Sequence, residues 1–408
     1  MSWEKVCIKD VALGIFDGPH ATPPEADSGA VFLGISNFVN GQLDLSDIRY
    51  ISEEDLPKWT RRVTPQANDI VFSYEATLNL YAIIPQSFRG CLGRRMALIR
   101  PDTTKVNYKY LYYYFYSKAW RDIISENTVL GATVDRIPLV KFPNFEIELP
   151  PMETQNRIAD ILFAYDNLIE NNQKQIKLLE EAAQRLYKEW FVDLHFSGYE
   201  NTPIVDGVPQ GWEESIFSDV FDFIRGKSYT SKELSETEGV LMVNLKNIKS
   251  YGGYKRNAEK RFTGAYKDEQ LLVGGDVVMG VTDMTQERRL VGHVALIPSI
   301  NEKMTFSMDL IKLIPYSISK NYLYCALRYG GYSEQIAPLA NGVNVLHLKP
   351  ESMMKMKMLV PPKYIIEKFD NQFEAIRLKI EALEKQCDLA AQARDRLLPK
   401  LMSGELEV

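Results

Sequence analysis

The stretch from Ile158 to Trp190, IADILFAYDNLIENNQKQIKLLEEAAQRLYKEW, decides the architecture. Its seam runs Ile158, Leu162, Tyr165, Ile169, Asn172, Ile176, Leu179, Ala183, Leu186, Trp190, with steps that alternate four and three. A repeat of 3.5 residues held over more than four heptads predicts a coiled-coil helix. Adding 211 to each position gives Phe369, Phe373, Ile376, Ile380, Leu383, Cys387, Ala390, Arg394, Leu397 and Leu401, a second seam of the same kind. Asn172 and Arg394 are its polar interruptions, and a buried polar seam residue fixes register. Pro150-Pro151 and Pro361-Pro362 precede the two helices at the same offset. Proline is tolerated at a helix entry and stops a preceding strand from running on.

Working outward, the rest of the chain repeats as well. Trp3-Glu4 answers Trp212-Glu213, Gly18 answers Gly226, and Val31–Phe38 answers Val240–Ile248. Asn68–Val71 answers Gly275–Val278, Asn107-Tyr108 answers Asn321-Tyr322, and Gly131 answers Gly342. Each half reads as short apolar strands, such as Ile70–Phe72, Met96–Ile99 and Val277–Met279, broken by Gly, Pro, Asn and Asp. Tyr108–Ala119 and Tyr322–Tyr329 read as helices. The tyrosine stripe Tyr110, Tyr112, Tyr113, Tyr114 and Tyr116 is read as helix packing, since a helix needs an apolar stripe. The expected fold class is therefore α/β and internally duplicated, with two α/β modules and two long helices that pair as an antiparallel coiled coil. The expected boundaries are module one at 1–150, first long helix at 151–195, module two at 196–360 and second long helix at 361–408. Met152 to Trp190 spans roughly 58 Å as a helix, longer than a turn of B-DNA at about 34–36 Å.

The chain has 408 residues, 45% of them hydrophobic and 25% charged, which suffices for more than one core. No apolar run reaches membrane-span length, and the start Met1–Lys5 lacks a signal-peptide core. Cys7, Cys91, Cys325 and Cys387 are scattered without CxxC spacing, which predicts a reduced, cytoplasmic protein with no cysteine-based metal site. The net charge is −6, awkward for a chain that would neutralise phosphates. Between Arg225 and Arg261, however, nine basic residues face four acidic ones. Local charge matters more than the total, and a solvated loop reads this excess equally well.

No catalytic motif assembles. Gly226-Lys227-Ser228 resembles the end of a phosphate-binding loop, but the leading glycine falls at Phe221. The two Pro-Pro pairs lack the flanking residues of an amino-methyltransferase motif, no glycine-rich S-adenosylmethionine loop follows, and no Gly-x-Ser-x-Gly elbow occurs. Three readings stay open on the residues alone: a DNA-binding specificity protein, a coiled-coil scaffold without DNA readout, and an enzyme acting alone.

Four junction segments resemble one family. Leu149–Ala159 (LPPMETQNRIA) is similar to the strand-to-helix junction of type I restriction-modification specificity subunits, and Leu186–Asp193 (LYKEWFVD) to the end of their central helix. Val208–Trp212 (VPQGW) resembles the entry to their second recognition domain, and Leu398–Leu406 (LPKLMSGEL) their C-terminus. The second helix departs from the pattern at Pro361-Pro362-Lys363-Tyr364, which lacks the Glu-x-x-Gln-like start. The resemblance implies two target recognition domains, each reading half of a bipartite, asymmetric site in double-stranded DNA. It implies helices that set the spacer and dock two methyltransferase subunits, which methylate adenine N6. S-adenosylmethionine would sit on those partners, and ATP with Mg on restriction subunits that join them. No catalytic residue, cofactor, metal or membrane is expected for this chain itself.

Base readout needs Arg or Lys for guanine and Asn or Gln for adenine, on loops held by a rigid frame. In module one the candidates are His20, Thr22, Ser36, Asn37, Tyr74, Glu75, Thr77, Arg94, Arg95, Thr133 and Arg136. In module two they are Lys227, Tyr229, Asn244, Lys246, Asn247, Thr282, Asp283, Thr285, Gln286, Arg288, Arg289, Asn344 and His347. Capping, turn or phosphate contact is the competing role for each.

Overall fold

The computed structural model describes residues 3–131 and 134–408. Both seams form single helices of 40 residues, Met152–Phe191 and Lys363–Met402, each starting just past its Pro-Pro pair. All twenty seam positions are buried or half-buried. The chain divides into two compact units, the first up to Asn171 together with Cys387–Val408, the second Asn172–Gln386. Each unit therefore owns half of each long helix, a division that cuts across the boundaries expected from sequence.

Within each unit the two half-helices run antiparallel. In unit 1, Ile158 and Leu162 share a core with Leu401 and Met402. Farther along, the Asp166 carboxylate meets the Arg394 guanidinium at 2.5 Å, and the Cys387 thiol lies 3.8 Å from the Ile169 carbonyl. In unit 2, Asn172 donates its amide to Gln386 Oε1 at 3.2 Å. Tyr187 and Trp190 then pack against Phe369, with ring centroids 6.2 and 6.1 Å apart. One number rises while its partner falls, as antiparallel helices require. Both polar seam residues thus have partners, and Asp166 also accepts the Tyr113 hydroxyl.

Among the described residues, each unit has nine strands of three or more residues. Unit 1 has β1 (Glu4–Cys7), β2 (Ala12–Asp17), β3 (Ala30–Leu33), β4 (Arg49–Ile51), β5 (Ile70–Ser73), β6 (Tyr81–Ile83), β7 (Gly90–Leu92), β8 (Met96–Pro101) and β9 (Glu146–Leu149). Unit 2 has β10 (Glu213–Ile216), β11 (Phe221–Arg225), β12 (Val240–Val243), β13 (Lys260–Phe262), β14 (Val277–Gly280), β15 (Val294–Leu296), β16 (Met304–Phe306), β17 (Leu310–Pro315) and β18 (Lys357–Val360).

Unit 1 pairs them as an antiparallel sheet β2-β8-β5-β6, a mixed sheet β4-β3-β7 and a ribbon β1-β9. Unit 2 pairs β11-β17-β14-β15, β13-β12-β16 and β10-β18, so every pairing of unit 1 recurs with nine added to each strand number. Even the single parallel pairing recurs, β3 with β7 and β12 with β16. Each ribbon ends at a helix entry, Glu4 opposite Leu149 and Glu213 opposite Val360.

One match needs correction. Asn107 caps the helix Tyr108–Tyr114, accepting from the backbone of Lys109 and Tyr110. Ser319 caps the helix Lys320–Tyr329, accepting from the backbone of Tyr322. Tyr110 donates its hydroxyl to the Glu148 carbonyl at 3.2 Å, and Tyr322 to the Leu359 carbonyl at 2.9 Å. Asn107 therefore corresponds to Ser319, and Asn321 is two positions late, because cap chemistry rather than residue identity sets the register. The expected helix Tyr108–Ala119 is also two helices, since Ser117 caps a new one at Lys118–Asn127. Tyr110, Tyr112, Tyr113 and Tyr114 are buried in the unit 1 core, as packing predicts.

No helix among the described residues is long and apolar enough to cross a membrane.

Two measurements test this packing. Removing one member of a buried ion pair strands the other, at a cost of about 3–5 kcal/mol. Arg394→Ala should lose about that much in urea unfolding. The triple variant Tyr113→Phe/Asp166→Leu/Arg394→Met, which removes the buried members of the group and leaves only exposed Asp395 to water, should regain most of it.

Asp370 accepts the Ser319 hydroxyl at 2.8 Å. Burial pushes its carboxyl from 3.8 up to about 6, with Glu374 and Glu367 adding to the rise against the Ser319 hydrogen bond. Between those two values the folded state holds more protons than the unfolded state, so this group's contribution to stability falls as pH rises through that window. Asp370→Asn should remove this falling contribution, so that the slope of unfolding free energy against pH between about 4 and 6 becomes more positive than in the wild type, read from urea titrations at several pH values. An unchanged slope would contradict the assignment.

Candidate nucleic-acid interface

In unit 1 three turns meet at one edge of the antiparallel sheet. The turn after β2 begins at Gly18, whose amide donates to the Met96 carbonyl at 2.8 Å. A Cβ there would lie 2.2 Å from the Gly93 carbonyl oxygen, so only glycine lets the two turns touch. Tyr74, just past β5, is buried and donates its hydroxyl to the Arg94 carbonyl at 3.1 Å. His20 Nδ1 stands 3.4 Å from the same hydroxyl, and its Nε2 is 3.0 Å from Asp17. Burial pushes the Tyr74 phenol up to about 12, with Glu75 and Asp17 adding to the rise, so it stays a proton donor at neutral pH.

Glu75 faces Arg95 at 4.0 Å and bridges through its backbone to Arg136. Arg136 in turn exchanges two backbone hydrogen bonds with Val129. The edge thus collects His20, Tyr74, Glu75, Arg94, Arg95 and Arg136 from widely separated stretches of chain. Thr22, Ser36 and Thr77 are exposed. Thr133 lies outside the described residues. Arg62, absent from the sequence-based candidates, joins the edge through Asp17 at 2.5 Å. The basic doublet Arg61-Arg62 was its visible signal, of the same kind as Arg94-Arg95.

Unit 2 builds the same edge from different side chains. Gly226 donates to the Leu310 carbonyl at 3.1 Å, and a Cβ there would meet the Ser307 carbonyl oxygen at 2.0 Å. The Met308 amide donates to the Lys227 carbonyl at 2.9 Å. Thr282 donates its hydroxyl to Asp309 at 3.0 Å and pairs with His347 across a two-residue ladder. Gln286 ties the 282–289 loop to the Val343 carbonyl at 2.9 Å. Thr285, Gln286, Arg289, Asn344 and His347 are exposed there, and Arg288 is half-buried with a left-handed backbone, φ 53°.

Several candidates hold the frame instead of facing outward. Asn37 accepts from Gly34 N at 2.8 Å and donates to the carbonyl of Asp44. Asn247 accepts from the Asn244 backbone and side chain at 3.0 and 3.1 Å and donates to the Lys255 carbonyl at 3.0 Å. Asn244 also donates to the Ala258 carbonyl at 2.9 Å. Asp283 is buried and accepts from Leu290 N at 2.7 Å and from Thr285. Burial raises its carboxyl, but these hydrogen bonds outweigh that and hold it below the usual range. These four polar side chains close turns, which is the competing role the sequence left open. Tyr229 is similarly engaged, accepting from Lys260 Nζ at 2.9 Å.

The basic excess between Arg225 and Arg261 is also reduced by folding. Arg225 pairs with Glu351 at 2.7 Å, Arg261 with Glu302 at 2.9 Å, and Lys249 with Glu180 and Glu384 at 3.9 Å. All four carboxylates lie outside the stretch, so the local count overstated the free charge. Lys246 is exposed on the turn that Asn244 and Asn247 hold. No cluster of three or more His, Cys, Asp or Glu among the described residues is placed to hold a metal ion.

Two like frames with unlike edges coincide with two matches to one domain. Residues 2–181 and 209–385 both match the type I restriction modification DNA specificity domain. The chain belongs to that family. It is similar to the type I restriction enzyme MjaIX specificity subunit of Methanocaldococcus jannaschii, 26% identical over 381 residues that cover 88% of this chain and 82% of that protein. The HindI specificity subunit of Haemophilus influenzae is 21% identical over 476 residues, covering 99% of each chain. A crystal structure of the type I restriction-modification S subunit from M. genitalium shares the fold, with a TM-score of 0.61, 15% identity, and coverage of 98% of this chain and 96% of that one. The duplicated α/β architecture with two long helices is thus that of a type I specificity subunit.

Holding and facing roles separate under mutation. Asn247→Ala leaves buried donors and acceptors unpaired and should cost about 1–3 kcal/mol in chemical denaturation. Lys246→Ala, one residue away on the exposed side, should stay within about 0.5 kcal/mol. Equal losses would contradict the division.

Proposed function

We propose that the chain sets the DNA specificity of a type I restriction-modification complex, with each unit reading one half of a bipartite, asymmetric site. The observation that carries this reading is the pair of matched edges. The strand frame repeats pairing for pairing, while the exposed residues on the frame do not repeat. Exposed Arg94 and Arg136 and half-buried Arg95 on one edge stand against exposed Gln286, Asn344 and His347 and half-buried Lys227 on the other. A conserved geometry with divergent hydrogen-bonding groups is what two different base sequences demand.

In this reading the chain carries no chemistry of its own. Two methyltransferase subunits dock on it and bring S-adenosylmethionine, and restriction subunits bring ATP and Mg. The net charge of −6 supports a division of labour in which those partners supply many of the phosphate contacts. The complex works on DNA inside the cell, in the cytoplasm.

Exchanging residues 196–360 for those of a relative with another specificity tests the assignment. Mapping methylated adenines in cells carrying the hybrid complex should show one half-site changed and the other retained. Retention of both half-sites, or loss of both, would remove the assignment of one unit to one half-site.

A further inference from the structure

The edge of unit 2 carries large apolar side chains in water. Met284 is 78% exposed, Met308 53% and Val343 88%. Their loops are tied into one edge. Asp309, next to Met308, accepts the Thr282 hydroxyl, the Met308 amide donates to Lys227, and Gln286 donates to the carbonyl of Val343.

The internal repeat supplies a control. The hydrogen bonds from Gly18 to Met96 and from Gly226 to Leu310 align the two turns, so Arg94 of unit 1 falls where unit 2 has Met308. Four residues past β5 stands Thr77, and four past β14 stands Met284. The shared frame therefore accepts a guanidinium and a hydroxyl at these positions, and it does not require thioethers. Exposed apolar side chains gathered at one edge mark a contact surface, and methionine adapts to irregular apolar partners.

On the base edges of duplex DNA the apolar group is the C5-methyl of thymine, displayed in the major groove. Lys227 and Arg289 on the same edge suit the adjoining phosphates. We propose that unit 2 reads thymine through its methyl group, with Met284, Met308 and Val343 as the specificity-determining contacts. Arg94 at the matched position of unit 1 instead suits the paired acceptors of guanine. This inference rests on the reading that unit 2 recognises one half-site.

The test uses the assembled methyltransferase complex and the site defined by methylated-adenine mapping. Each thymine of the unit 2 half-site is replaced in turn by deoxyuridine, which keeps base pairing and removes only the methyl. At one or more positions affinity should fall about fourfold per methyl lost. At such a position Met284→Ala, Met308→Ala or Val343→Ala should weaken binding of the thymine duplex to the level of the uracil duplex, with no further loss on uracil. Because these side chains are exposed, melting temperatures of the variants should stay at the wild-type value. Equal affinity for all thymine and uracil duplexes overturns the proposal, as does a uracil effect that persists undiminished in all three variants. A half-site without thymine overturns it too, and a wedge between base steps would give the first of these results. If the exchange of residues 196–360 leaves both half-sites unchanged, the half-site reading itself fails, whatever uracil does.

Discussion

The structure depends on burying two heptad seams against each other in antiparallel register. A helix of 40 residues with an apolar stripe cannot remain alone in water, and in each unit the partner stripe is the half-helix from the other repeat. Apolar contacts by themselves would tolerate a slip of one heptad. The Asp166–Arg394 ion pair and the Asn172–Gln386 hydrogen bond would not, since a slip strands a buried charge or amide. Everything in the modules is built outward from this pairing. The β1-β9 and β10-β18 ribbons end at the helix entries, and the core of each unit includes residues of both helices.

Repetition makes the molecule its own comparison. Where the two units agree, the feature belongs to the frame. Strand order, the parallel pairings, the glycine contacts at Gly18 and Gly226, and the tyrosines that tie a helix to β9 and β18 fall in this class. Where they differ, the frame has left the choice open. Arg94 against Met308 and Thr77 against Met284 are differences of that kind. In a specificity subunit these are the positions where chemistry can change without disturbing the fold.

Site residues were less legible than architecture for a definite reason. Asn, Asp and Thr on loops are suited both to base edges and to turns, and a sequence shows only the residue type. Asn37, Asn244, Asn247 and Asp283 proved to close turns because backbone groups several residues away converge on them. Arg62 reached the edge by folding across to Asp17 from a distant stretch. The basic count from Arg225 to Arg261 missed the carboxylates of Glu180, Glu302, Glu351 and Glu384, which only tertiary contact brings near.

Local periodicity was enough to determine two long helices, their polar interruptions and the duplication itself. A 3.5-residue repeat and a constant offset of 211 are properties of the chain read in order. Tertiary structure alone decided which strands pair, because contacts such as β3 with β7 join segments nearly sixty residues apart and leave no periodic trace. It also decided the true register between repeats at Asn107 and Ser319, since capping depends on backbone direction. And it alone separated the side chains that hold the edge from those that face outward, because burial and hydrogen-bond partners exist only once the chain has closed on itself.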